Sequence, residues 1–551
     1  GLSLTKTSPP SQPVVIPWPR AMDDSTTTTF GPSGDAAAAS TLVTYGAANV
    51  GETTLSSCAL EEDADAGRDN PLAPFVAEFV GTFILVFAFG CVACSSSLAF
   101  AWKPTAAACT MTVMIYSTAC VSSGFLNPVL SLTLSLLGVI PTSRWLGLCL
   151  VQFSAGLCAA ATLRALVGAS GETSAAESPP HLVVPPKALY PSTLVLLLEL
   201  LYTAILCFVA ACCLVLKRNR PKQEKSQSYG LAVGLLYIAG GHALRLEAGA
   251  PAMNPAIALA VASMSPGGLQ YGTSWIIAEV LGALLGTYLF TCLRAGAEDS
   301  CEEFLELCAP RRSARLLAEL LGTFTYVLTY GLNIISFSES TAWACSAALI
   351  SMIYALGQIS GGHFNPAVTL AVVLSGRSVC PVADGLAYAL VQVVAGLAAG
   401  LLVSVYHMNG PFAFLSLTPL PFKPWTDYGV VTVGIAEGVF TFVLAYAVLA
   451  CSTAKSGRSR QNIFFGLVEG FCIMTGGCAV GSVSGGMMNP AVAAGVWLLN
   501  LAELSSFKEI GISLVTCMKF STFQCTGALI AAVIFRITHP SEYCKVPLLV
   551  R

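Results

Sequence analysis

Apolar residues run along this chain in long blocks with no polar face between them. From about Pro71 onward, twelve blocks recur near residues 73–94, 104–121, 143–167, 191–216, 229–247, 272–294, 315–336, 340–358, 384–406, 429–451, 462–479 and 509–537. Each predicts a spanning helix, because a crossing needs about 20 residues at 1.5 Å of rise per residue. Four shorter apolar runs lie between them, near 127–138, 254–264, 365–375 and 489–500. They reach about half the hydrocarbon core and predict half-helices that start near mid-bilayer. Residues 1–70 lack any such period and are rich in Ser, Thr, Pro and acid. That composition buries too little surface to offset the entropy of ordering, and it predicts a disordered tail.

Each short run opens with Asn-Pro: Asn127-Pro128, Asn254-Pro255, Asn365-Pro366 and Asn489-Pro490. Asn365 follows Asn127 by 238 positions and Asn489 follows Asn254 by 235, so one unit is written twice in the chain. Each unit is itself two halves of three spans and one short run. An odd number of spans per half inverts the second half, the inverted repeat of membrane channels and transporters. A fifth Asn-Pro, Asn70-Pro71, has no counterpart and reads as a turn.

Asn is a favoured N-cap and Pro a favoured first helical residue, which puts Val129, Ala256, Ala367 and Ala491 in the first turns of the half-helices. In each unit the two N-termini are expected to meet. Two positive dipole ends and two Asn amides then face one point, which donates hydrogen bonds to a neutral polar molecule and opposes cations. Four intramembrane glutamates recur in step: Glu78, Glu199, Glu319 and Glu437. Their regular placement suggests carboxylates that accept from backbone N–H groups of the re-entrant loops, with a proton relay as the alternative. Gln152, Glu279, Gln392 and Gln524 recur in every third span, each with Gly three or four residues later, and suggest helix packing and loop support.

Composition narrows the class. Charged residues make up 10% of the 551 and hydrophobic ones 55%, against roughly 25% charged in a soluble domain. A soluble enzyme, a disordered chain and a nucleic-acid binder all need a charged surface this chain lacks. The 21 cysteines show no pair of C-x-x-C motifs and no Cys/His cluster, so they read as small packing residues, and no metal or cofactor is expected. With the N-terminus inside and twelve crossings, about 20 Lys and Arg fall on the cytoplasmic side and about six outside. Both termini are therefore expected in the cytoplasm. The expected segments are a tail at 1–70, units at 71–296 and 313–540, a cytoplasmic linker at 297–312 and a C-terminal tail at 541–551.

ISGGHFNPAVTL at 359–370, AEFVGTFILVF, AELLGTFTYVL, GGMMNPAV and PAMNPAI together resemble the aquaporin, or major intrinsic protein, superfamily. The resemblance covers about residues 72–540. It implies an all-α membrane protein of two right-handed bundles, each with six spans, two half-helices and its own pore. It also implies four pores per assembly, hence a homodimer. In that family an Arg follows the second Asn-Pro-Ala and joins an aromatic ring in a narrow outer filter. Ile257 and Val492 stand at the Arg position here, and Ala107 and Cys345, 20 residues before the first Asn of each unit, at the aromatic one. Counting 12 and three back from the second Asn gives His242 and Pro251 in the first unit, Gly477 and Gly486 in the second.

The second filter is thus small and uncharged and is expected to be wider than a water-only filter. His242 reads either as a filter residue or as a packed histidine. Arg245 reads as a substitute cation or as a loop partner of Glu247, and Glu469, two turns before Gly477, is expected to face the second pore's inner mouth. Phe125, in place of the usual His, and Val129 set the first pore apart. The expected function is passive passage of water and small neutral solutes such as glycerol or urea, without enzyme activity or nucleic-acid partner. A twelve-span secondary transporter and a non-conducting adhesion or scaffold protein remain as alternatives.

Overall fold

Backbone in lipid has no water to bond to, so an apolar block satisfies its own N–H and C=O groups as a helix. In the computed structural model the apolar blocks do so over the described residues. The structure describes residues 70–94, 100–169, 192–216, 219, 226–243, 252–264, 268–297, 310–408, 429–454, 464–501 and 507–543. The expected tail up to residue 69, most of the basic loops at 217–225 and 455–460, Arg245, Glu247 and Pro251 lie outside the described residues.

The first unit contains α1 (Ala73–Cys94), α2 (Lys103–Ser122), the short α3 (Pro128–Leu136), α4 (Thr142–Ala169), α5 (Ser192–Val215), α6 (Tyr229–Ala243), the short α7 (Pro255–Ser263) and α8 (Gly268–Ala297). The second repeats the order with α9 (Arg312–Ile335), α10 (Thr341–Ser360), the short α11 (Pro366–Leu374), α12 (Val382–Met408), α13 (Val430–Ala447), α14 (Phe465–Ser484), the short α15 (Pro490–Leu501) and α16 (Phe507–Thr538). Among the described residues, ten helices are long and apolar enough to cross a membrane. The other two expected spans are α6, described over 15 residues, and α9, whose apolar content is diluted by Arg312, Arg315, Glu319 and several Thr and Tyr. Both sit inside the bundle: α6 packs on α2 and α10, and α9 on α10 and α12.

The same pairings occur in both units. The first helix lies on the second and third, the fourth on the sixth, and the second on the fifth. The half-helix α7 seats against α4 and α8, and α15 against α12 and α16. Glycine permits that approach: a Cβ added at Gly156 would lie 2.7 Å from the carbonyl oxygen of Ala256, and one at Gly396 would overlap that of Ala491. Small residues at helix contacts let backbones come together where lipid supplies no hydrophobic drive.

Within the chain the units meet through α6 and α10, with further contacts of α5 to α10 and of α9 to α6 and α8. Polar bonds cross this seam. Ser351 Oγ donates to the Ala232 carbonyl at 2.8 Å, Tyr202 and Thr329 share a hydroxyl bond of 3.0 Å, and Asn219 Nδ2 donates to the Ala355 carbonyl at 2.9 Å.

Gly396→Val is predicted to push α15 off α12, destabilising the fold by about 1–3 kcal/mol, the usual range for overpacking. The thermal midpoint in detergent, followed by tryptophan emission, checks this; an unchanged midpoint contradicts it.

Candidate pores and their supports

All four Asn residues cap their half-helices. Asn127, Asn254 and Asn365 adopt extended backbone near φ −155° and accept from the N–H two residues on, and Asn489 accepts from Ala491 N at 2.9 Å. Pro128, Pro255, Pro366 and Pro490 follow as first helical residues, where a missing N–H costs nothing. The side-chain amides then cross to the opposite tip. Asn127 Nδ2 donates to the Met253 carbonyl at 2.7 Å and Asn254 Nδ2 to that of Leu126 at 2.9 Å. In the second unit Asn365 reaches Met488 at 2.8 Å and Asn489 reaches Phe364 at 3.0 Å. The short helices of each unit therefore meet N-terminus to N-terminus.

The residue before each Asn is left-handed without being glycine: Leu126 at φ 52°, Met253 at 43°, Phe364 at 46° and Met488 at 50°. Such backbone costs about 1–3 kcal/mol and persists only where its surroundings hold it. The recurring glutamates do the holding. Glu78 accepts from Ser122 Oγ (2.7 Å), Phe125 N (2.8 Å), Leu126 N (2.7 Å) and Gln152 Nε2 (2.8 Å). Glu319 accepts from Ser360, His363 N, Phe364 N and Gln392 in the same pattern. Glu437 accepts from Ser484, Met487 N, Met488 N and Gln524 likewise.

The fourth cage departs from the rule. Glu199 accepts from Met253 N at 2.6 Å, but five residues before Asn254 the sequence has Gly249 where the others have Ser, and Glu279 stands where they have Gln. Glu279 accepts from Asn254 N at 2.8 Å, and its other carboxyl oxygen is buried without a hydrogen-bond partner. Nothing along the chain hints at this arrangement beyond the place of Glu279 in the Gln series.

Asn365 and Asn489 face one narrow cavity, lined also by Tyr326, Leu349, His363, Val368, Glu469 and Ile473. Its volume, about 10 Å³, is close to what one water needs. His363 Nδ1 is held by Thr369 Oγ1 at 3.1 Å. Glu469 accepts from Ser452 Oγ at the end of the π-helical turn Val448–Ser452. The next residue, Thr453, accepts through its carbonyl from Arg377 Nη1 at 3.1 Å. Arg377 also pairs with Glu542 at 3.4 Å and lies 4.3 Å over the Phe535 ring. His363 and Glu469 thus give the cavity polar lining, and Glu469 is bonded to the polar chain that runs to Arg377.

The first unit fills the matching space differently. Phe125, Val139, Leu214 and Val215 are the counterparts of His363, Arg377, Ser452 and Thr453 at the step that carries Asn127 to Asn365. They belong to a separate apolar cluster with Leu134, Ile140 and Leu148.

Of the filter positions, Gly477 and Gly486 come together: a Cβ on Gly486 would lie 2.9 Å from Gly477 Cα, and one on Gly477 2.7 Å from Ala342 Cβ. Val492, Ile257 and Cys345 are buried, and Ala107 is partly buried. In the first unit the helix faces assign a different counterpart to Gly477 from the one counted along the sequence. A Cβ on Gly241 would lie 2.7 Å from Pro104 Cβ, and Pro104 is the counterpart of Ala342 at the step from Asn127 to Asn365. Gly240 and Gly476 likewise face Met253 and Met488. So α6 matches α14 at a step of 236, while the Asn residues step by 235, and counting 12 back from Asn254 lands one residue past the matching face. His242 on that next position turns to the seam, where its Nε2 lies 3.4 Å from Thr105 Oγ1, itself bonded at 3.0 Å by Trp343 of α10.

Two bundles of spanning helices, each closed around a pair of Asn-capped half-helices, define an inverted-repeat membrane protein. A family model, "Major intrinsic protein", matches residues 68–290 and again residues 306–502; the chain belongs to that family and carries two copies of its domain. It is similar to aquaporin NIP1-4 of Oryza sativa subsp. japonica, 35% identical over 188 residues, covering 33% of this chain and 64% of that protein. It is similar to the probable aquaporin TIP5-1 of Arabidopsis thaliana, 35% over 156 residues, covering 28% and 56%. Glycerol uptake facilitator protein-like 6 of Lactiplantibacillus plantarum is 31% identical over 187 residues, covering 33% and 82%. The chain thus spans less than two thirds of the first two relatives, and each match takes up about a third of it.

Glu319→Ala is predicted to leave two loop N–H groups, Ser360 and Gln392 without their shared acceptor, a loss of about 3 kcal/mol or more. Glu279→Gln, which copies the other three cages, is predicted to hold or raise stability. Thermal midpoints of the two variants in detergent check the pair; a fall for Glu279→Gln as large as for Glu319→Ala contradicts it.

Proposed function

We propose that this protein is a channel that passes water and small neutral solutes, such as glycerol or urea, down their gradients. The observation that carries the reading is the narrow cavity onto which Asn365 and Asn489 both open. Each amide uses one N–H on the opposite tip and leaves the other for a solute. Two helix N-termini converge there and oppose cations. Cys345, Gly477, Gly486 and Val492 form the outer filter of the second pore, too small in volume and charge to exclude solutes larger than water. Passage needs no covalent step, so the protein is not an enzyme.

Both termini lie in the cytoplasm in this reading, as the distribution of basic residues supports. The chain works as a homodimer with four aquaporin-type units in a lipid bilayer. Supporting this, α6 of the first unit is covered by α10 of the second, while the corresponding outer faces of α2 and α14 expose Val113, Tyr116, Val121 and Phe471. A second copy, related by a two-fold axis along the membrane normal, covers them.

Stopped-flow light scattering of proteoliposomes tests the function. Val492→Arg is expected to cut glycerol and urea permeation by roughly tenfold, a barrier change of ~1.4 kcal/mol, with water flux largely kept. Flux that saturates and shows counterflow would instead favour a carrier, and no osmotic response in the unaltered chain would favour a non-conducting role. Light-scattering mass of the detergent-solubilised protein is expected at twice the chain mass of 57.2 kDa.

A further inference from the structure

We infer that the first unit's pore is closed by Tyr237 and that the second unit carries the flux; this rests on the channel reading above. Matched by helix face, at the same step that pairs Gly241 with Gly477, Tyr237 of α6 is the counterpart of Ile473 of α14. Ile473 lines the cavity of the second unit. In the first unit the Tyr237 hydroxyl stands at the tips of the half-helices instead. It accepts from Asn127 Nδ2 at 3.1 Å and donates to the Met253 carbonyl at 3.2 Å.

Those two groups are the donor and the acceptor that a molecule passing the Asn pair would use. In the second unit the equivalent amide, that of Asn365, reaches Met488 and has its other N–H toward the cavity. A tyrosine hydroxyl thus takes the place of the solute in the first unit, and its ring takes up the width of the path. The bonds are local to the side chain, so the backbone of the half-helices is the same in both units: Asn127 caps α3 as Asn365 caps α11, with φ −156° and −155°.

A bulky residue held by two hydrogen bonds at the narrowest level of a single-file path blocks it without a moving part. The mouth on the α3 side reinforces the contrast, since Phe125 and Val139 stand where the second unit has His363 and Arg377. A wetted path needs hydrogen-bonding groups along its length, and an apolar constriction dewets.

A reciprocal exchange in the full chain, reconstituted in liposomes and read by stopped-flow water permeability per protein incorporated, tests the assignment. Ile473→Tyr is expected to bring water flux down to that of empty liposomes. Tyr237→Ile, alone or with Phe125→His, is expected to add a second path and raise flux about twofold, as two like pores in parallel do. The double exchange of Tyr237→Ile and Ile473→Tyr is expected near the wild-type level. Half or more of the flux surviving in Ile473→Tyr overturns the proposal, as does no gain from Tyr237→Ile with or without Phe125→His. The channel reading fails separately: an unaltered chain with no water flux sinks it and the second unit's share with it, whereas flux in the unaltered chain that survives Ile473→Tyr overturns the assignment alone.

Discussion

Four breaks in the helical backbone, buried inside the bundles, set the terms for the rest of this structure. At each break a left-handed residue turns two N–H groups away from any helix, and lipid offers them no acceptor. A buried carboxylate answers that need, because one ionised group accepts several hydrogen bonds at once and strengthens each of them. It is in turn held by a serine from the preceding helix end and a glutamine from the third span of its half. Three of the cages repeat this design atom for atom. The fourth meets the same backbone groups with two acids, Glu199 on Met253 N and Glu279 on Asn254 N, so the backbone demand outlasts a change in the chemistry that meets it.

Once the breaks are held, each tip holds its partner through the crossed Asn amides, and the glycines of the supporting spans let the half-helices sink to that depth. These are contacts between backbones. They leave the side chains that line the path free to differ, which is where the two units part. The second unit has a polar run from His363 and Glu469 to Arg377. The first has an apolar cluster and a tyrosine hydroxyl at the same levels. One added residue between α6 and its half-helix shifts the count along the chain without moving the helix face, since the face is fixed by packing on α2.

Joining the two units in one chain bears on that divergence. In an assembly of identical subunits every substitution recurs at every interface and in every pore. Here the seam between α6 and α10 exists once per chain, and Thr105, Trp343, Tyr202 and Thr329 form contacts that need not recur elsewhere. A side chain can therefore change in one unit, or turn toward the seam as His242 does, while the other unit keeps its own.

The sequence by itself determined the class and the repeat. Length of apolar runs reports on crossing a bilayer, Asn-Pro reports on helix starts, and the even spacing of Glu78, Glu199, Glu319 and Glu437 reports on a shared structural task; each is a local or periodic property that survives without coordinates. Family membership was legible for the same reason, because its motifs are contiguous. What only the tertiary structure decided depends on which atoms face each other across helices far apart in the chain. Counting from Asn254 pointed to His242, whereas packing against Pro104 picks out Gly241. Nothing in the spacing revealed that Tyr237 reaches Asn127, 110 residues away, or that Glu279 accepts from Asn254 N. A one-residue offset turns a helix position by about 100°, since 3.6 residues complete a turn, and only the packed helix shows which face is turned inward.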